Sequence, residues 1–169
     1  MYTEVVTLKR ESVTPREDFD ELDRQIITRL RKDGRTSNRE LARVLKSSEA
    51  TVRRRVRALE ESNHMRIVAI ADPYQLGYTI DVIMGIQIRP GSIKEAARAF
   101  ARIDNVRAVT ITTGASDLII AAIFRSNEDL LDFLSEQITE IPGVIRIQTS
   151  HSLRVVKRSF DFFPEEDMG

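Results

Sequence analysis

Four arginines lie close together in the first half of the chain: Arg53, Arg54, Arg55 and Arg57. A guanidinium group can donate two parallel hydrogen bonds to O6 and N7 of a guanine base. It can also neutralise a phosphate group and displace the counterions that surround a duplex. The cluster therefore has the chemistry needed for contacts with DNA, provided that the chain presents it on an exposed surface.

The cluster belongs to a helical pattern that has one apolar face. Val52, Val56 and Leu59 are spaced by four and by three residues, so they share one side of a helix and point into a core. At about 100° per residue, Arg54 and Arg57 lie on the opposite face. The pattern predicts a helix with an apolar inner face and a basic outer face.

Two shorter helical patterns precede this one. The first covers roughly residues 20–32, and Gly34 follows where a helix-ending glycine is expected. The second begins with a cap at Thr36, Ser37 or Asn38. The apolar stripe of the first helix consists of Leu22, Ile26, Ile27 and Leu30.

A tight connection, Lys46-Ser47-Ser48, joins the second helix to the basic one. Ser47 or Ser48 can cap the basic helix, which is expected to run to about Ser62. Three short helices with a tight turn between the last two form a helix-turn-helix. This motif places its last helix in the major groove of DNA.

Such a helix enters the groove with its N-terminus first, so residues 48–51 are expected nearest the base edges. The N-terminus of the second helix offers backbone amides to a phosphate. Arg55 lies nearer the core side and is expected to pair with an acidic residue such as Glu21 or Asp23. The predicted DNA contacts are Ser37, Asn38, Ser47, Ser48, Glu49, Ala50, Thr51, Arg53, Arg54 and Arg57.

After Asn63 the pattern changes from helical to extended, and a short strand is expected over residues 65–70 before Asp72-Pro73. From residue 80 the order is strand, helix, strand, strand, helix, strand, which is the ferredoxin-like βαββαβ order. The predicted fold class is α+β. The four expected strands cover residues 80–88, 106–113, 118–124 and 145–155.

The two helices of this second half also have caps and inner faces. Ser92 is expected to cap the first, and Ser126 or Asn127 the second. The inner faces consist of Ile93, Ala96, Ala97, Phe100 and Ala101, and of Leu130, Leu131, Leu134 and Ile138. The candidates for packing of the sheet against a second copy of the chain, or for burial under its own helices, are Ile83, Ile86, Ile88, Val109 and Ile111.

Charge divides the chain at the same place. The 169 residues carry 26 Lys/Arg and 26 Asp/Glu, and residues 1–66 hold 16 of the former and 12 of the latter, so a basic half precedes an acidic half. The chain contains no cysteine, which excludes disulfides and cysteine-ligated metals. With no apolar run of membrane-spanning length and no signal-peptide pattern, a cytoplasmic protein without membrane association is expected.

Many ordered matches make the chain similar to the leucine-responsive/asparagine regulator (Lrp/AsnC) family of transcription factors. The resemblance spans about Leu22 to Lys157. Two positions depart from the family pattern, because Ser47 replaces an apolar turn residue and Asn63 replaces a glycine. The matching motifs are Leu22-Asp23, Ile26-Ile27, Leu30, Asp33-Gly34-Arg35-Thr36-Ser37-Asn38, Glu40-Leu41-Ala42, Ser48, Thr51-Val52, Arg55-Val56, Leu59-Glu60, Ile70-Ala71-Asp72-Pro73, Leu76-Gly77, Val106, Thr113-Gly114, Asp117, Pro142-Gly143-Val144, Thr149, Leu153 and Lys157.

The resemblance implies a DNA-reading N-terminal domain, winged or strand-linked, and a C-terminal domain for effector binding and oligomerisation. It implies dimers that assemble further into tetramers or octamers, double-stranded DNA with a palindromic operator, and an amino-acid-like effector bound between dimers. No cofactor and no metal are implied. The candidate effector contacts are Thr112, Thr113, Gly114, Ser116, Asp117 and Thr149, although a plain hairpin turn is the other interpretation of residues 114–117.

The domain organisation follows from these patterns. We expect an arm over 1–18, a helix-turn-helix domain over 19–64, a linker strand and turn over 65–79, a ferredoxin-like domain over 80–158 and an acidic tail over 159–169. An enzyme is not expected, because His64 and His151 form no metal-binding pair and no nucleophilic triad is visible. The remaining alternatives are an amino-acid-sensing oligomer that does not read DNA and a small ferredoxin-like enzyme.

Overall fold

The computed structural model describes residues 19–157, and the expected arm and acidic tail lie outside them. The described residues divide into two compact units that meet in sequence between residues 70 and 71. The first unit contains helices and the second combines a sheet with helices. Within the described range, no helix is both long enough and apolar enough to cross a membrane.

Three helices build the N-terminal unit: α1 (Glu21–Lys32), α2 (Asn38–Val44) and α3 (Glu49–Glu61). α3 packs on both α1 and α2, as expected for a helix-turn-helix. Each helix contributes an apolar stripe to one core, because residues three or four positions apart share a face. The buried residues of this core are Ile26, Leu30, Leu41, Ala42, Val52 and Leu59.

The helix ends in this unit follow the sequence in part. Ser37 and Ser48 cap α2 and α3, and Asn63 adopts the left-handed conformation (φ 56°) that ends α3 in place of glycine. The glycine-cap prediction for Gly34 is wrong, because Asp33, the residue that follows α1, is extended and Gly34 has no positive φ. A Cβ atom on Gly34 would lie 3.4 Å from the side chain of Ile67, so Gly34 lies next to the segment that follows α3.

The expected strand over residues 65–70 is not formed in the described residues. Its β-branched side chains Ile67, Val68 and Ile70 are exposed. A strand needs a neighbour to complete its hydrogen-bond ladder, and the described part of the N-terminal unit contains helices only. The apolar and β-branched residues of this segment therefore predicted a strand, but a single chain supplies no neighbouring strand with which it could pair.

The C-terminal unit is a four-stranded antiparallel sheet in the order β2-β3-β1-β4. Its connections give the predicted ferredoxin-like βαββαβ order. α5 continues directly into a π-helical turn and a 3₁₀ turn over residues 133–140. The elements are β1 (Ile80–Ile88), α4 (Ile93–Phe100), β2 (Val106–Ile111), β3 (Leu118–Phe124), α5 (Asn127–Asp132) and β4 (Val144–His151).

One face of the sheet is covered by the two helices and the other is open. Ile86 and Ile88 are buried beneath the helices, whereas Ile83 points to the open face and is half exposed. Val109 and Ile111 pair with the buried residues Ile120 and Leu118 of β3, so they also lie on the helix side. Of the five candidates for packing against a second copy, the open face presents Ile83.

Four finer predictions for this unit are wrong. β2 ends at Ile111 and β4 at His151, so both strands are shorter than their apolar patterns. Leu131 is 62% exposed, and Phe133, which was not predicted inward, is buried in its place. Ser92 occupies the first position before α4 but makes no side-chain capping bond, whereas Ser126 caps α5 as expected.

Candidate functional site

The N-terminus of α3 is held by a local cap. The Ser48 hydroxyl accepts a hydrogen bond from the backbone N–H of Thr51 at 3.0 Å and lies 2.8 Å from the Thr51 hydroxyl. Ser48, Glu49 and Ala50 are exposed, and Thr51 is half-buried. Lys46 takes a left-handed conformation (φ 52°) in the turn that leads into this cap. The first turn of α3 is thus fixed in place with its outer side open to solvent.

Two of the four arginines pair along α3 itself. Arg53 contacts Glu49 at 3.1 Å, and Arg57 contacts Glu61 at 2.7 Å. Both are pairs one turn apart whose arginine side chains are more than 60% exposed, and such pairs contribute little to stability because solvent screens the two charges. Such weak pairs can exchange their carboxylate for a phosphate at small cost.

Arg54 differs from its neighbours. It lies on the exposed face of α3, and it makes no ion pair with any residue that the structure describes. Its guanidinium keeps its full hydrogen-bonding capacity for an external acceptor. Arg54 is therefore the arginine of this helix that is best prepared to contact a base or a phosphate.

Arg55 points the other way, into the contact between α3 and α1. Its guanidinium donates to the Asp23 carboxylate at 3.1 Å and to the Asp20 carboxylate at 2.8 Å. The pairing with Asp23 was one of two options that the sequence left open, and Asp20 was not foreseen. Asp20 and Asp23 also bond each other's backbone N–H in a capping box at the start of α1.

The same network shifts the ionisation of Asp20. The backbone N–H of Asp23 and the positive charge of Arg55 hold the pKa of the Asp20 carboxyl below its usual value. The carboxylate form is favoured because both groups stabilise negative charge. Through these two carboxylates, Arg55 has a structural role and holds α3 on α1.

The remaining predicted DNA contacts lie around the start of α2 and the turn. The Ser37 hydroxyl accepts from the backbone N–H of Glu40 at 3.2 Å. Asn38 and Ser47 are half-buried, and the backbone N–H of Ser47 donates to the carbonyl of Ala42 at 3.0 Å. Because α2 packs against α3, the structure brings both capped helix N-termini into the same unit.

In the C-terminal unit, the predicted effector loop joins β2 to β3. Thr113 and Gly114 are exposed, and Gly114 has a positive φ of 123°. The Thr112 hydroxyl donates to the carbonyl of Ser116 at 2.6 Å. The Asp117 carboxylate accepts from the backbone N–H of Ile88 at 2.7 Å. Two side chains predicted as effector contacts therefore hold the loop itself.

Sequence reasoning missed the part of β1 that supports this loop. A Cβ atom on Gly85 would lie 2.5 Å from the Ser116 hydroxyl oxygen, so the loop folds back over the strand where no side chain intervenes. The side-chain amide of Gln87 donates to the carbonyl of Ala115 at 3.0 Å. A lone glycine inside the strand, Gly85, is the signal that could have indicated this close approach.

Thr149 lies elsewhere on the sheet. It pairs with Met84 in the register between β1 and β4, whereas the loop is attached to β3 on the other side of β1. Two strand spacings, about 10 Å, separate these positions across the sheet. A single chain does not bring Thr149 to the residues of the loop.

The two histidines have ordinary surroundings. The ring of His64 stacks on Phe19 with a centroid separation of 5.9 Å, and its Nδ1 lies 2.7 Å from the Ser62 hydroxyl. His151 is exposed at the end of β4. Across residues 19–157 no group of histidine, aspartate and glutamate is arranged to hold a metal ion.

Comparison with known proteins agrees with both units. Residues 19–60 match the AsnC-type helix-turn-helix domain, and residues 81–162 match the Lrp/AsnC ligand binding domain. The chain is 37% identical to the HTH-type transcriptional regulator LrpA of Pyrococcus abyssi over 130 residues, which cover 76% of this chain and 92% of that protein. The chain belongs to the Lrp/AsnC family. It is therefore a DNA-binding transcriptional regulator with a ligand-binding domain, in a family of regulators and not of enzymes.

Solved structures of transcriptional regulators share the fold. AsnC of E. coli matches with a TM-score of 0.73 and 28% identity, covering 84% of this chain and 97% of that chain. A transcriptional regulator from Neisseria meningitidis, solved as an L-Met complex, matches with a TM-score of 0.76 and 23% identity, covering 85% and 95%. These matches support the α+β architecture described above.

Proposed function

We propose that this Lrp/AsnC protein binds a palindromic operator as a dimer or larger assembly, with α3 of each subunit in the major groove. The observation that carries the proposal is the exposed first turn of α3 together with Arg54, whose guanidinium has no ion-pair partner among residues 19–157. A helix presented in this way meets base edges with its N-terminal residues. Two subunits meet two half-sites about one helical turn apart, which is why a dimer fits a palindrome.

The other predicted contacts have supporting roles in this interface. Arg53 and Arg57 exchange their helix-internal carboxylates for phosphates, and the capped N-termini of α2 and α3 direct main-chain amides toward the DNA backbone. Residues 48–51 lie nearest the bases. The full set remains Ser37, Asn38, Ser47, Ser48, Glu49, Ala50, Thr51, Arg53, Arg54 and Arg57.

We also propose that an amino-acid-like effector binds at the β2–β3 loop, between dimers. Thr112 and Asp117 already bond within the unit, and Thr149 lies two strands away. One chain therefore offers mainly main-chain groups and the exposed residues Thr113 and Gly114. A complete ligand shell needs groups from another subunit, which supports a site between dimers, and the L-Met complex of a protein with this fold agrees in ligand class.

Fluorescence anisotropy with DNA from upstream of the protein's own gene tests both parts. Arg54→Ala is expected to weaken DNA binding by about 1–3 kcal/mol if Arg54 contacts a base. In the double variant Arg54→Ala, Arg57→Ala, the slope of log affinity against log salt concentration is also expected to fall by about one for each lost phosphate contact. Arg98→Ala, an exposed arginine on α4, serves as the control and leaves affinity unchanged. Each amino acid is then added in turn, and one of them is expected to shift the binding curve.

The result that contradicts the DNA part is an Arg54→Ala, Arg57→Ala double variant with wild-type affinity and salt dependence. That outcome would show that the DNA-contacting surface is wrongly assigned to these arginines of α3, whereas a wild-type chain that binds no DNA would favour the sensing oligomer that does not read DNA. Unchanged binding curves with all amino acids would remove the effector part and leave the DNA part standing.

A further inference from the structure

Glu49 places a negative charge on the part of α3 that is proposed to meet the bases. It is the first residue of α3 and the one acidic residue of the segment 48–51. Its side chain is 49% exposed, and the Ser48 hydroxyl holds the turn around it by accepting from the backbone N–H of Thr51. A carboxylate at this position lowers the attraction of the helix for the phosphates of any DNA sequence.

The carboxylate of Glu49 has a single partner in the structure. Its Oε1 accepts from the Arg53 guanidinium at 3.1 Å, and no other hydrogen bond reaches this carboxylate from residues 19–157. Both side chains of the pair are exposed, so solvent screens the two charges and the pair opens easily. In the proposed complex Arg53 transfers to a phosphate, and Glu49 is then left without its cation.

The four bases offer a carboxylate different surroundings in the major groove. Guanine presents the acceptors O6 and N7, and thymine presents O4 beside a methyl group, so neither base can donate to it. A carboxylate held against either base loses its water without gaining a hydrogen bond. Adenine donates from N6, but this amino group lies between two acceptors, N7 of adenine and O4 of the paired thymine. Cytosine donates from N4 and has an acceptor, O6 of the paired guanine, on one side only.

We propose that Glu49 is a specificity-determining residue, which accepts a hydrogen bond from the N4 amino group of a cytosine in each half-site. The inference rests on the proposed placement of α3 in the major groove and adds the base that its first turn selects. Glu49 acts mainly by exclusion, because every other base either lacks a donor or surrounds it with acceptors. Another base at this position is expected to lower the affinity by about 5- to 150-fold, the usual range for one mismatched base pair.

The test selects binding sites from duplexes that contain a randomised segment, with the full chain and with each variant. Wild type is expected to select a cytosine at one position of each half-site, and replacing that cytosine in the selected duplex weakens binding by the factor given above. Glu49→Ala is expected to accept all four bases nearly equally at that position and to keep the preferences at the others. Glu49→Gln is expected to prefer adenine there, because a glutamine amide can accept from N6 and donate to N7.

Glu61→Gln is the matched control. Glu61 pairs with Arg57 one turn away at 2.7 Å, at the opposite end of the same helix. The control variant therefore removes one negative charge and frees one arginine, as Glu49→Gln does. Both variants are expected to bind duplexes of unrelated sequence more tightly than wild type, because each removes a charge that the phosphates repel. Glu61→Gln is expected to keep the base preferences of wild type at every position, and thermal melts check that all variants are folded.

Three outcomes overturn the inference while the proposed function stands. The first is a folded Glu49→Ala variant that selects the same bases as wild type at every position. The second is a position that depends on Glu49 but holds guanine, thymine or adenine in the sites that wild type selects. The third is the same change of preference in Glu61→Gln, which would assign the effect to a freed arginine. A wild-type chain that selects no sequence would instead contradict the proposed function, and the inference would fail with it.

Discussion

Replacing Arg55 with methionine tests whether Arg55 stabilises the fold, in contrast to its exposed neighbour Arg54. Arg55 bonds the carboxylates of Asp23 and Asp20, and Asp23 is fully buried. Methionine has a similar length and fills much of the same space. The substitution therefore removes the charge and leaves the Asp23 carboxylate buried without its cation.

The structure sets the size of the effect. Breaking a buried ion pair from one side costs about 3–5 kcal/mol. The Arg55 side chain is 20% exposed and that of Asp20 is 47% exposed, so the lower end, about 3 kcal/mol, is expected. The other carboxylate oxygen of Asp23, Oδ1, is buried and has no hydrogen-bond partner among the described residues. No second contact of that oxygen can therefore compensate for the loss of Arg55. For a domain of this size, 3 kcal/mol lowers the melting temperature by roughly 12 °C or more.

Urea unfolding followed by circular dichroism measures the loss, with Arg54→Ala as the matched control that is expected to stay within about 0.5 kcal/mol of wild type. Adding Asp23→Asn to Arg55→Met removes the stranded charge and is expected to recover part of the loss, because an uncompensated buried charge causes much of it. The reasoning is refuted if Arg55→Met is as stable as Arg54→Ala, or if the double variant is no more stable than Arg55→Met alone.

Two further predictions concern acid stability and the effector loop. The N–H of Asp23 and the charge of Arg55 lower the folded-state pKa of Asp20 below 3.8, so its contribution is complete above about pH 4 and disappears as the pH falls through the folded value. The urea midpoints of wild type and Asp20→Asn should therefore converge on acidification, and a constant gap would contradict this. Gly85→Ala is expected to destabilise the chain by about 1–3 kcal/mol because its Cβ meets the Ser116 hydroxyl. Thermal melts should show partial rescue by Ser116→Ala, and equal melting of the single and double variants would argue against the contact.

Patterns that depend on neighbours in sequence predicted much of the fold. β1 and β3 have the bounds that their apolar runs indicated, because Pro90-Gly91 ends one and the 114–117 turn precedes the other. Ser37, Ser48 and Ser126 cap helices as expected, since a cap involves only the next three residues. The order of these strands and helices along the chain then predicted the ferredoxin-like fold.

Features that depend on distant partners were not predictable in this way. The segment 65–70 has the composition of a strand but no partner within the described residues. Leu131 is exposed and Phe133 is buried against Phe124 of β3, so packing on the sheet decides which side of the helix faces inward. The crossing of the loop over Gly85 likewise depends on Ser116, which is remote in sequence. Each error arises where a tertiary contact decides the local structure.

The same distinction separates the residues that build a site from those that meet its ligand. On α3, Arg55 resembles Arg54 in sequence but is committed to Asp23, so its loss reports on folding. On the loop, Asp117 is committed in the same way to the backbone of Ile88. Substituting either residue is expected to lower activity by destabilising the fold, without identifying a ligand contact. Under the proposed function, specificity in both units would rest on the groups left uncommitted, which are Arg54 on the helix and the exposed Thr113 and Gly114 on the loop.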